Sequence, residues 1–345
     1  MTLFKTKHDP YWAKLSESKL MELRLKDLAL DLKDTNLSYY TNKLLAELEV
    51  KGFKHFKPHF WFSDEWFSPD GIPGIAIPFY LSHRKLAKIE EKHLLEVEGG
   101  TPKWFMQLLR HECGHAIDNA YCLRRRKKRQ KLFGKSTLPY EDYYLPKPFS
   151  KKYVIHLDTW YAQSHPDEDF AETFAVWLNP RSNWQKRYKG WKAIKKLEYM
   201  DELMDELFAE KPMMNSRRRI DTQKSLTKTL KQHYQEKKAY YGLDHADIYD
   251  GHLLKLFTNI PDKCLRMKAS TFIRRVRKDT RRSLAPWTGA YQYTISQFID
   301  EIILRADELD LHLKYPFEES KYQFISMLSI LTLEYIHSGY HKAVR

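Results

Sequence analysis

The pentad His111-Glu112-Cys113-Gly114-His115 constrains this chain more than any other stretch. Two histidines four residues apart reach one point when the backbone between them is helical, because a helix brings i and i+4 onto one face. The surrounding residues, Thr101 to Tyr121, read as that helix. Thr101 suits the N-cap, and Pro102 suits the first helical position, where its missing N–H costs nothing. Trp104, Leu108, Cys113 and Ile117 lie near helical spacing and supply an apolar side. His111 and His115 are candidate ligands of one metal ion. Glu112, on the adjacent face, stands where a carboxylate takes a proton from a water activated by that metal. Cys113 falls about two hundred degrees around the helix from each histidine, which assigns it to the core. Such a helix needs a third ligand from elsewhere in the chain.

A second helix is legible in the stretch that includes 161–177, YAQSHPDEDFAETFAVW, starting at Pro166 and ending near Asn179-Pro180. Pro166 again suits a first turn, and Asp167, Glu168 and Asp169 match the positive end of the helix dipole. Phe170, Phe174 and Trp177 form a core stripe, while Ala171 and Ala175 permit close approach of a neighbouring helix. Glu168 and Glu172 sit one turn apart and face the same neighbour. Dipole matching explains the acidic first turn but not Glu172, which lies beside aromatic residues. His165 is either a further metal ligand or, preceding Pro166, a helix cap.

HECGHAIDNAY followed by YAQSHPDEDFAETFAVWL resembles a bacterial family of zinc-binding metallopeptidases. More distantly, it is similar to the catalytic domain of anthrax lethal factor. The resemblance covers roughly residues 50 to 200 and implies a gluzincin-type site. In that site Zn²⁺ is held by His111, His115 and Glu168, with Glu112 as the general base of peptide-bond hydrolysis. It also implies that Tyr161, seven residues before Glu168, hydrogen-bonds the developing oxyanion. Asp118 and Glu172 would orient the ligand histidines through their second ring nitrogens. The chain holds 22 tyrosines, most of them packing residues, and only its spacing to Glu168 sets Tyr161 apart. The implied fold class is α+β: a zincin-like metallopeptidase domain with a small antiparallel or mixed sheet packed on the HExxH helix, plus a helical C-terminal region.

The rest of the chain divides into a helical N-terminal segment (1–50), a catalytic domain (51–212) and a helical C-terminal region (213–345) whose role the sequence does not disclose. Two helices are expected within 11–50, broken near 34–36. Alternating aromatic residues from Phe53 to Phe67 and the run Gly74 to Leu81 read as strands. Pro78 gives the second an edge position, and the resemblance makes it the candidate substrate strand. A short strand is expected near Tyr153 to His156, and helices near 222–241, 246–257, 264–284, 288–311 and 318–337. The net charge of +14 favours acidic partners. Basic clusters at 124–131 and 274–282 are candidate contacts for nucleic acid or another anionic partner, or simply solvated faces. The alternative to an enzyme is therefore a basic nucleic-acid-associated or partner-binding protein with a structural or vestigial zinc site. No apolar leader or membrane span is legible, and the three unpatterned cysteines fit a reducing compartment, so a cytoplasmic location is expected.

Overall fold

A computed structural model describes residues 3–4, 6–141, 144, 147, 150–240, 250–260 and 267–337. The chain divides into two units, Met1–His93 with Val97–Tyr234, and Leu94–Glu96 with Gln235–Arg345. The first unit opens on short turns in place of the first expected helix. Tyr11–Lys14, Leu25–Leu28 and Leu32–Asp34 are 3₁₀ turns around α1 (Glu17–Met21), and α2 (Leu37–Val50) is the first helix of several turns. Trp12 is fully buried and its indole N–H donates to Leu28 O at 2.9 Å, a fold-back that a continuous helix could not make.

The strands β1 (His59–Ser63) and β2 (Gly74–Pro78) pair in parallel, from His59 opposite Gly74 to Ser63 opposite Pro78. With the antiparallel bridge between Phe67 and Ala76, the arrangement is mixed, one of the two expected. The connection between them swings past the far side of β2, where Phe67 O accepts the Ala76 N–H at 2.8 Å. With that edge bridged and every residue of β2 buried, β2 does not offer the open ladder that a substrate strand requires.

After α3 (Arg84–Leu94) comes α4 (Pro102–Tyr121), the helix of the HExxH pentad. Thr101 caps it, its Oγ1 accepting the Trp104 N–H at 3.3 Å, and Cys122 closes it in the left-handed conformation at φ 51°. From Phe105 onward nearly every residue is buried, because α4 packs between α2, β2 and α6. Arg110 and Glu47 form a buried two-bonded pair, 2.7 Å at each contact, that fixes α4 to α2. Then follow α5 (Lys127–Phe133), α6 (Pro166–Leu178), α7 (Trp184–Arg187) and α8 (Ile194–Leu207).

The segment Tyr153–His156 is not a strand. The Ile155 N–H donates to Tyr188 Oη and the Leu157 N–H to Glu172 Oε2, so side chains satisfy a backbone that a ladder would otherwise serve. Beyond α8 the chain returns in extended form over β1 and the N-terminal turns. Met214 N–H donates to Ala120 O, Trp61 Nε1 to Ile220 O, and Leu25 N–H to Lys228 O. These contacts delay the helix expected from 222, and α9 runs Leu230–Tyr240.

The second unit is built from α10 (Asp250–Leu256), α11 (Ala269–Thr288), α12 (Gln292–Glu308) and α13 (Phe317–His337). The expected helix starts at 246 and 264 lie outside the described residues. Phe272, Ile273, Ile295, Ile299, Ile302 and Leu328 fill its core at helical spacing. A short antiparallel pair, β3 (Phe257–Thr258) with β4 (His312–Leu313), ties the helix ends together. The architecture is α+β with a helical C-terminal region. No helix among the described residues is long and apolar enough to cross a membrane.

Candidate active site

The site forms where α6 crosses α4. Gly114 makes the crossing close: a Cβ there would stand 2.7 Å from Ala171 Cα and 3.0 Å from Ala171 O. Glu168 thereby reaches the histidine pair. Its Oε2 lies 3.0 Å from His111 Nε2 and 3.2 Å from His115 Nε2, and the two Nε2 atoms are 3.1 Å apart. All three side chains are buried.

Around this cluster the polar groups are oriented. His111 Nδ1 donates to Glu172 Oε1 at 2.9 Å, while Glu172 Oε2 accepts the Leu157 N–H at 2.8 Å, so one buried carboxylate holds both the imidazole and the connector. Glu112 is buried, and its Oε2 has no hydrogen-bond partner among the described residues. Tyr161 follows Trp160, which takes the left-handed conformation at φ 54°, a strained geometry for a residue with a Cβ. The Tyr161 ring lies 5.6 Å from that of His111. Asp118, a turn beyond His115, accepts on its Oδ2 from Arg129 Nη2 at 2.7 Å and not from a ligand histidine as expected. Its Oδ1 has no hydrogen-bond partner among the described residues. His165 is a cap: Nδ1 accepts the Asp167 N–H at 3.1 Å and Nε2–H donates to Leu138 O at 3.0 Å, which occupies both nitrogens. Cys113 is fully buried, and burial pushes its thiol well above the ordinary range.

Several neighbours were not legible in the sequence. Tyr140 Oη donates to Glu168 Oε1 at 2.8 Å, on the oxygen that does not face the histidines. Its ring stacks on His165 at 3.7 Å. His156 Nε2 donates to Gln107 O at 2.9 Å, and Gln107 Nε2 to His156 O at 2.8 Å, docking the connector on α4. The basic run 124–131 turns partly inward. Arg129 is fully buried, Arg124 pairs with Asp70 and Asp167, Arg126 with Glu206 and Lys128 with Glu202. Such pairing leaves less of the run to meet an external polyanion than its composition suggested.

Burial and mutual charge work against each other across this cluster. Burial opposes a charge on His111, but hydrogen bonds and charges from Glu168 and Glu172 outweigh it and hold its pKa well above the imidazole norm. His115 shifts upward in the same way, burial being overcome chiefly by Glu168. Burial acts to raise Glu168, yet both histidines bring it well below the carboxylate norm. Glu112 moves up through burial, despite the histidines. Tetrahedral zinc with ligands at 2.0–2.1 Å sets the ligand atoms about 3.3 Å apart, close to the separations here. Two imidazoles and a carboxylate that converge, with an unpartnered carboxylate oxygen on the residue next to His111 in the helix, fit a divalent metal with an open position. No curated protein and no solved structure matches the chain. Residues 105–189, about a quarter of the chain and the part that carries this cluster, match the family model described as putative zinc-binding metallo-peptidase.

Proposed function

We propose that the chain is a zinc metallopeptidase of the gluzincin type, acting on a peptide or protein substrate. The observation that carries this reading is the convergence of His111, His115 and Glu168, with the buried Glu112 next to His111 in the helix and its Oε2 without a partner among the described residues. His111, His115 and Glu168 would hold the ion; zinc bound there supplies a Lewis acid for the scissile carbonyl and lowers the pKa of water. Glu112, its pKa raised by burial, accepts the proton of the attacking water and passes it to the leaving amine. Tyr161 keeps its phenolic proton, because burial and then Glu168 push its pKa well up. It donates that proton as a hydrogen bond to the oxyanion, worth on the order of 3 kcal/mol in comparable sites. Glu172 holds His111 in the tautomer whose Nε2 lone pair faces the cluster.

The test is metal content and peptide turnover in the same preparations. Wild type should carry near-stoichiometric zinc, and Glu168→Ala should lose it. Glu112→Gln should keep the metal and lose turnover by about 10²–10⁴-fold. Undiminished turnover in Glu112→Gln would remove the base assignment, and a wild type that takes up no zinc would remove the peptidase reading.

One observation favours the alternative of a partner-binding protein. On α11, Arg275, Lys278 and Arg282 are exposed and form no ion pair among the described residues, and Trp287 near its end is 86% exposed. Exposed cations and an exposed indole are elements of a single-strand nucleic-acid surface, although Trp287 falls about 150° around the helix from the middle of the three cations.

A further inference from the structure

The peptidase reading leaves the basic insert after Tyr121 without a role, and Arg129 supplies one. Its side chain is fully buried, at 0% exposure, and stands among three acceptors. Nη2 donates to Asp118 Oδ2 and to Asp167 Oδ1, each at 2.7 Å, and Nη1 donates to Ser136 Oγ at 2.9 Å. The guanidinium plane lies 4.7 Å from the Phe170 ring centre. Ser136 Oγ–H closes the ring of contacts on Asp167 Oδ1 at 2.5 Å. Arg124 Nε lies 3.2 Å from Asp167 Oδ2 and 3.5 Å from Asp118 Oδ2, so two cations meet two buried carboxylates and the charges on the buried side balance, the exposed Asp70 lying outside. That balance matters here, because an uncompensated charge at this depth is strongly destabilising.

The carboxylates occupy telling positions. Asp118 is on α4, three residues beyond His115, and Asp167 is on α6, immediately before Glu168. Arg129 therefore joins the helix of the histidines to the helix of the glutamate. We propose that Arg129 is a positioning residue of the His111–His115–Glu168 centre, drawing α4 and α6 together and so setting how far Glu168 stands from the histidine pair. This inference rests on the metal reading of that centre. The Gly114–Ala171 contact limits how close the helices come, and the Arg129 contacts hold them at that limit. Only a planar fork serves two carboxylates and a hydroxyl at once; a lysine ammonium carries the charge without that geometry.

The experiment compares wild type, Arg129→Lys, Ser136→Ala and, as a control, Arg126→Met, whose native partner is the surface carboxylate of Glu206. Zinc dissociation constants come from competition with a chromophoric chelator, and circular dichroism of the metal-free proteins reads the fold separately. Arg129→Lys is expected to weaken zinc about 10–100-fold, as loss of an outer contact does in other metal sites. Ser136→Ala removes one bridge and no charge, and should weaken zinc about two- to tenfold. Should Arg129→Lys fail to fold, Ser136→Ala decides. Arg126→Met should match wild type. Zinc affinity unchanged in folded Arg129→Lys, or in Ser136→Ala where the lysine variant does not fold, would overturn the proposal while leaving the peptidase reading intact. A wild type without zinc affinity would overturn both.

Discussion

Two tyrosines stand at the candidate centre, and the proposed function gives them different work. Tyr140 donates to Glu168 Oε1, while the Tyr161 ring faces His111. A hydrogen bond to a charged acceptor contributes about 1.5–3 kcal/mol, so Tyr140→Phe is expected to weaken zinc about 10–100-fold. Tyr161→Phe should instead leave zinc binding near wild type and lower kcat about 10²-fold. Chelator competition and steady-state kinetics on the two variants separate the roles; equal effects on zinc from both would contradict this division. Tyr161 was singled out by the family resemblance, through its place seven residues before Glu168. Tyr140 was not, because it lies on an irregular connector 28 residues from Glu168, and no periodicity links such a pair. His165 was ambiguous from sequence, since a histidine before a proline serves a metal or a helix end equally well; its two hydrogen bonds make it a cap.

At the scale of elements, the centre depends on how two helices cross. Gly114→Ala would gain about 1 kcal/mol in helix propensity. Against that gain, the new methyl would meet Ala171 Cα at 2.7 Å, a backbone atom that cannot rotate away. Overpacking of this kind costs about 1–3 kcal/mol, and it acts directly on the separation of Glu168 from the histidines. Gly114→Ala is therefore expected to lower the thermal midpoint and weaken zinc together. A variant with raised stability and unchanged zinc affinity would show that the crossing tolerates widening. The small residues at 171 and 175 announced a close neighbour in the sequence, and Gly114 proves to be that neighbour. The parallel pairing of β1 and β2 was not announced, because alternation within a strand carries no information on the direction of its partner.

For the whole molecule, the formal charge of +14 is distributed unevenly in its consequences. In the insert, Arg124, Arg126, Lys128 and Arg129 face carboxylates, whereas on α11 Arg275, Lys278 and Arg282 remain exposed. Each phosphate neutralised on a single strand contributes about −0.7 to the slope of log K against log salt. If the alternative reading is correct, changing Arg275, Lys278 and Arg282 together to Ala should flatten the slope for a single-stranded oligonucleotide by about two. The corresponding change in the insert, Arg126→Met with Lys128→Met, should alter it much less. Failure of the wild type to bind at low salt would dispose of that reading.

The sequence by itself determined the two helices, their caps and the face on which His111 and His115 stand. These are short-range matters, set by the 3.6-residue period, by Thr101 and Pro102 at one start and by Pro166 at the other. It also placed Glu168 and Glu172 on one side of the second helix. Only the tertiary structure decided that Tyr140 meets Glu168, that Arg129 is buried between Asp118 and Asp167, and that β2 has no open edge. A run such as LRRRKKRQK reads as solvent-facing by composition, because burying a cation is unfavourable unless carboxylates await it. Whether they await it depends on the path of the chain between distant residues, which local spacing does not encode.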